Sequence, residues 1–182
     1  MIMSPKRYAM AVDMKKCVGC NACVIACKNE NKVPLNHFRD WVEQELSGEY
    51  PHLSMEIRSQ RCNHCSEPPC VDVCPTGASW ITKDGIVLVD NKKCIGCKAC
   101  IAACPYDARY VHPKGYVDKC TFCAHRVKGS LKPACVEICP TSSLIFGDIN
   151  DPDSEISKVL GSRKYKVNHV ETGCKPNLYF LE

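Results

Sequence analysis

No stretch of this sequence approaches 18 uninterrupted apolar residues, so the chain is not expected to span a membrane itself. The opening Met1-Ile2-Met3-Ser4-Pro5-Lys6-Arg7 has neither an apolar signal-peptide core nor a twin-arginine pair. A self-exported, disulfide-rich secreted protein is therefore disfavoured. Aromatic residues are scarce at 7%, and the 45% apolar share counts cysteine. Without cysteine that share falls to about 36%, low for a chain of 182 residues. Burial alone then makes too small a core, and covalent or metal staples are expected. There is also no nucleophile–base pair, phosphate loop or dinucleotide fingerprint, so the chain is not expected to be an enzyme by itself.

What the sequence does have is cysteine, 17 residues of it, in four groups of four with Cys174 left over. Group one is Cys17, Cys20, Cys23 and Cys27 (C-x2-C-x2-C-x3-C), and group three, Cys94, Cys97, Cys100 and Cys104, repeats that spacing. Group two is Cys62, Cys65, Cys70 and Cys74 (C-x2-C-x4-C-x3-C). Group four is Cys120, Cys123, Cys135 and Cys139 (C-x2-C-x11-C-x3-C). Proline follows the last cysteine as Pro75, Pro105 and Pro140, whereas group one carries Lys28 there. Groups one and three match the bacterial ferredoxin run, and the other two stretch one interior gap.

Three cysteines at two-residue intervals make a tight turn that presents three sulfurs to one cubic 4Fe–4S cluster. Small residues between them, Gly19 and Ala22 or Gly96 and Ala99, let the backbone approach it. The fourth cysteine is expected one turn into the following helix, reaching the other cluster of a pair. Disulfides would need an oxidising compartment and no periodic spacing. Structural zinc fits only group four alone, with its finger-like gap. Iron–sulfur clusters fit all four groups. Sixteen thiolates on four clusters of core charge 2+ turn the formal +4 into about −4. With the basic residues scattered, no nucleic-acid partner is expected.

Lys15–Cys27 (KKCVGCNACVIAC) matches Lys92–Cys104 (KKCIGCKACIAAC) at nine of thirteen positions, and the Cys70–Thr76 and Cys135–Thr141 stretches share a second signature. The order a-b-a-b marks an internal duplication. Clusters that exchange their fourth cysteine can then pair group one with four and two with three, or one with two and three with four. The short hairpin of residues 78–90 favours the pairing of two with three, without settling it. Strands are expected at Tyr8–Asp13 and at Leu144–Phe146. Hairpins are expected over 80–89, with an Asp84-Gly85 turn, and over 108–118. A helix with proline in its first turn is expected to begin at Asp151-Pro152 and end near Gly161. Residues 28–61 and the tail belong to neither repeat, and are expected to cover the core or meet a partner. The fold class is therefore α+β: two ferredoxin-like bis-4Fe–4S units from an internal duplication. Residues 1–27 plus 108–150 form the outer unit, 28–61 an insertion, 62–107 the inner unit, and 151–182 a C-terminal helix and tail.

The stretches RCNHCSEPPCVDVCPTGAS, KKCIGCKACIAACPYDARY and DKCTFCAHR resemble the four-cluster electron-transfer subunits of bacterial molybdopterin oxidoreductases. These serve polysulfide, thiosulfate and dimethyl sulfoxide reductases, and the polysulfide reductase type is most similar. The resemblance implies a pairing. One outer cluster takes Cys17, Cys20, Cys23 and Cys139, and the other takes Cys27, Cys120, Cys123 and Cys135. One inner cluster takes Cys62, Cys65, Cys70 and Cys104, and the other takes Cys74, Cys94, Cys97 and Cys100. It implies four 4Fe–4S clusters relaying electrons between a quinone-reactive membrane anchor and a molybdopterin-containing catalytic subunit. Membrane association through partners follows, on the periplasmic face by co-export, with cytoplasmic residence the alternative. A hydrogenase or formate dehydrogenase wire and a free-standing polyferredoxin are the competing readings.

Lys16, Lys93, Lys119 and Arg126 would each raise a neighbouring potential, or be solvated surface charge. His64 and His125 are expected to pack or hydrogen-bond rather than ligate iron, and Cys174 to be a free thiol with no role.

Overall fold

A computed structural model describes residues 5–182; Met1–Ser4, at the start of the stretch without a signal-peptide core, lie outside them. Strand β1 (Tyr8–Asp13) is where the sequence places it and is buried from Ala9 onward. Its alternating side chains serve two layers. Met10 and Val12 join a large core with Phe122, Leu144, Leu178, Phe180 and several cysteines. Ala9 and Ala11 join a smaller one with Ile145, Ile156 and Leu181.

Helix α1 (Ala22–Asn31) carries the end of group one. Strands β2 (Asp40–Glu49) and β3 (His52–Arg61) then form a long antiparallel hairpin, buried at its base and exposed toward its tip. The second group lies around helix α2 (Pro69–Asp72), followed by the paired strands β4 (Ser79–Ile81) and β5 (Val87–Val89). The third group lies around α3 (Ala99–Ala102), followed by the paired β6 (Tyr110–Val111) and β7 (Val117–Asp118). Helices α4 (Ala124–Lys128) and α5 (Ala134–Glu137) carry the fourth group.

Strand β8 (Leu144–Asp148) pairs antiparallel with β1. After helix α6 (Glu155–Ser162) and β9 (Tyr165–Lys166), strand β10 (Leu178–Leu181) pairs parallel with β1 on its other side. The sheet order is β8-β1-β10-β9. The tail thus covers the core by joining its main sheet. Gly147 lets α6 close over the small core, since a β-carbon there would lie 3.2 Å from Ile156 Cγ2.

Two sequence expectations need correcting. Helix α6 begins at Glu155, and Pro152 lies in the turn before it. Ser154 fixes the start, because its hydroxyl accepts from the Ser157 amide at 3.2 Å and donates to the Asp148 carbonyl at 2.6 Å. The second correction concerns the fourth cysteines, of which only Cys27 lies inside a helix. Helices α2, α3 and α5 stop after four residues, so Cys74, Cys104 and Cys139 lie just beyond them. Pro75, Pro105 and Pro140 account for this, since the residue before proline is pushed out of helical geometry. With Lys28 in that place, α1 runs on to Asn31. Among the described residues no helix is long and apolar enough to cross a membrane.

Candidate metal centres

Each third cysteine, Cys23, Cys70, Cys100 or Cys135, is the second residue of a helix. The turn before α1 has Gly19 at φ +67°, and the turn before α3 has Gly96 at φ +69°. A β-carbon on Gly96 would lie 2.4 Å from the Gly115 carbonyl oxygen, so this turn needs glycine to fit the protein as well as any cluster.

Cys17, Cys20, Cys23 and Cys139 line one small hollow, closed by Val42, Ser59 and Leu144. Cys62, Cys65, Cys70 and Cys104 line a second, with Val87, Tyr106 and Arg109. Each gathers three cysteines of one group and the last of another. Cys27 and Cys123 are joined through Asn31, whose side-chain amide donates to both sulfurs at 3.6 and 3.7 Å. Burial pushes the Cys27 thiol up, and the charges of Asp40, Cys120 and Cys135 push it further. Cys27, Cys120, Cys123 and Cys135 are therefore neighbours. Cys94 sulfur accepts from the Val117 amide and Cys74 sulfur from the Ser79 amide, both at 3.4 Å. Among the described residues no hydrogen bond joins Cys74 directly to Cys94, Cys97 or Cys100. Cys20 and Cys97 are exposed, and both lie in the middle of an a-type run.

Burial pushes the Cys120 thiol up to about 12, with Arg61 and Lys119 opposing and Cys62 and Cys135 adding to the rise. Cys139 goes the other way. Burial raises it, but the Ser143 and Thr141 hydroxyls and the Ser143 amide outweigh that and bring it down to about 7.

Three cations are buried among these sulfurs, and of these sequence reasoning finds only Lys119. Arg61 donates to Cys135 sulfur at 3.0 Å and to the Ser59 hydroxyl. Arg109 donates to Cys70 sulfur at 2.7 Å and to Ser79 at 3.0 Å. Lys119 donates to the carbonyls of Val87 and, at 2.7 Å, Cys120. The signal for Arg61 is its place immediately before Cys62, matching Lys119 before Cys120. Lys16 and Lys93 precede the a-type groups but are exposed, and Arg126 is held by Glu30 at 2.9 Å and by Glu137.

His64 is fully buried, stacks on Phe122 at 3.7 Å and accepts from the Val87 amide, while His125 bonds Glu30 at 2.7 Å. Cys174 is buried, and its charge adds to the rise of Cys65, so it stands beside the second hollow.

The residues fit an anionic polynuclear group. Among the described residues, Arg109 Nε and Nη1 and Arg61 Nε are buried without a hydrogen-bond partner, and of these two arginines a carboxylate reaches only Arg61, where Asp40 lies 4.0 Å away. Such cations are costly unless an anion shares the site. Among the described residues no three His, Cys, Asp or Glu side chains gather closely enough to hold a single ion. A mononuclear zinc site would need sulfurs about 2.3 Å from one point.

Two family models, each of a 4Fe-4S dicluster domain, match residues 53–149 and 16–78. The chain belongs to the 4Fe-4S dicluster family. It has two ferredoxin-like dicluster regions, as its sequence predicts. The B subunit of the tetrathionate reductase of Salmonella typhimurium is 45% identical, the match covering 98% of this chain and 74% of that protein. The B chain of the polysulfide reductase of Wolinella succinogenes is 46% identical, covering 97% and 94%. The NrfC homologue of Haemophilus influenzae is also 46% identical, covering 97% and 80%. These matches bear out the resemblance read in the sequence. This dicluster protein is an iron–sulfur electron-transfer subunit rather than a catalytic one.

Proposed function

We propose that this dicluster protein relays electrons through four 4Fe–4S clusters between a quinone-reactive membrane anchor and a molybdopterin catalytic subunit. The observation that carries this is the crossed lining of the two hollows. Cys17, Cys20 and Cys23 meet Cys139, and Cys62, Cys65 and Cys70 meet Cys104. By the same exchange, Cys27 joins Cys120, Cys123 and Cys135, and Cys74 joins Cys94, Cys97 and Cys100. A cluster bound at each site supplies a one-electron couple. A run of contacts supports an order among the sites: Ser59 lies between Cys23 and Arg61 on Cys135, Lys119 joins the Cys120 carbonyl to Val87 of the second hollow, and Ser79 lies between Arg109 on Cys70 and Cys74. The two end sites each present an exposed cysteine, Cys20 or Cys97, which suits electron exchange with partners. Residues 1–27 with 108–150, and 62–107, serve as the outer and inner units. The relatives' names support a sulfur-oxyanion or polysulfide reductase, and membrane association comes through the anchor, on the periplasmic face.

The test is anaerobic purification of the tagged chain from native membranes, with every metal measured per mole of chain. About sixteen iron with about one molybdenum or tungsten is expected. Sixteen iron with neither metal and no partner would favour a free carrier, and nickel a hydrogenase.

A further inference from the structure

The three buried cations do not lie at random among the cysteines. Arg61 donates to Cys135 sulfur of the second site and to the Ser59 hydroxyl, which lies 3.5 Å from Cys23 sulfur of the first, so it stands between the first two sites. Lys119 donates to the Cys120 carbonyl of the second site and to the carbonyl of Val87, which lines the hollow of the third, and this puts it between the two. Arg109 donates to Cys70 sulfur of the third site and to the Ser79 hydroxyl, and the Ser79 amide donates to Cys74 sulfur of the fourth, so it stands between the third and fourth.

The three are not equivalent in net charge. Arg61 faces the buried Asp40 carboxylate at 4.0 Å. Among the described residues no carboxylate lies within ion-pair distance of Lys119 or Arg109. Lys119 is 1% exposed and Arg109 6%, so water does not screen them. The third site, lined by Cys62, Cys65, Cys70 and Cys104, is therefore flanked on both sides by unopposed positive charge.

Adding an electron to a thiolate-held iron–sulfur site makes it one unit more negative, with no proton needed. A fixed cation nearby favours that reduced state. We propose that Lys119 and Arg109 are positioning charges that jointly hold up the reduction potential of the Cys62–Cys65–Cys70–Cys104 site. The outer junction lacks this effect because Asp40 offsets Arg61. The inference rests on the cysteine assignment proposed above.

Lys119→Met and Arg109→Met would be made in the complex purified from native membranes. Iron is measured first, and then each cluster signal is titrated by electron paramagnetic resonance against applied potential. With iron intact, one and the same signal is expected to move to lower potential in both variants. The expected move is roughly tenfold in the reduction equilibrium, about 59 mV for a one-electron couple. The double variant should move it further, and Arg109→Lys should hold it in place. If Lys119→Met loses iron, Lys119→Gln, which keeps a donor for the Val87 carbonyl, is titrated instead and must show the same shift. An unmoved signal with iron intact overturns the proposal, as do shifts that fall on two unrelated signals. Cys104→Ser separates this from failure of the underlying assignment. If it alters a different signal from the one shared by the two charge variants, the cysteine pairing is wrong rather than the role of the cations.

Discussion

Asp13 is a carboxylate with almost no access to water, at the end of the central strand. Burial raises its pKa, but the Arg163 guanidinium at 2.5 Å and the Lys15 and Lys16 amides outweigh that and hold it below the usual 3.8. The pair's stabilisation is therefore complete above pH 3.8 and lost as pH falls through the lower folded value. Arg163→Met is expected to cost about 1.5–3 kcal/mol at neutral pH. The gap between variant and parent should narrow below pH 3.8 in denaturant titrations followed by circular dichroism. At this scale the cysteine groups are readable from spacing, while Lys119 stands out only as a cation beside Cys120, with surface charge as the alternative reading. Arg61 and Arg109 are not readable, because an arginine reads as surface until the fold surrounds it. Only its parallel with Lys119 before a first cysteine gives Arg61 away.

The turns and hairpins come next in scale. Gly96 and Gly77 both have positive φ, but only Gly96 is crowded, against the Gly115 carbonyl; nothing lies within 4 Å of a β-carbon on Gly77. Gly77→Ala should cost about 1–2 kcal/mol from the backbone alone. Gly96→Ala should cost more and lose iron from the site proposed at Cys94, Cys97 and Cys100, as iron analysis beside thermal melts would test. Strand β1, β8 and the two short hairpins stand out in the sequence through apolar runs and turn residues. The β2–β3 hairpin does not, although Leu53, Met55 and Ile57 alternate as a strand should. Its apolar positions are few and its tip is exposed, so the period is faint beside the cysteine groups on either side. Helix lengths turn on the proline after the fourth cysteine, which acts as a stop.

The whole molecule has little apolar core, and much of what it has is cysteine. Removing iron with a chelator and an oxidant should therefore abolish the cooperative thermal transition, since metal binding here is folding free energy. The tail matters at the same scale. Leu178, Phe180 and Leu181 are buried at 1% exposure or less, each worth roughly 1.5–3 kcal/mol. The buried Asn177 side chain ties this strand to the His64 carbonyl at 2.7 Å and to Arg7. A chain stopped after residue 162 should not accumulate as iron-loaded protein, which pulldown and iron assay would decide. The duplication and its iron–sulfur character are plain in the sequence. The parallel union of β1 with β10 is not, because pairing between distant segments leaves no local pattern.

That union also sets an order of construction. The cysteines of the inner hollow fall between residues 62 and 104, and those of the outer one between 17 and 139. Strand β1 receives its second neighbour only when residues 178–181 arrive. A nascent chain, leaving the ribosome amino end first, completes the inner ligand set while the first strand still lacks both partners. The first strand is thus sheltered on both sides only after every cysteine of the inner hollow has been made.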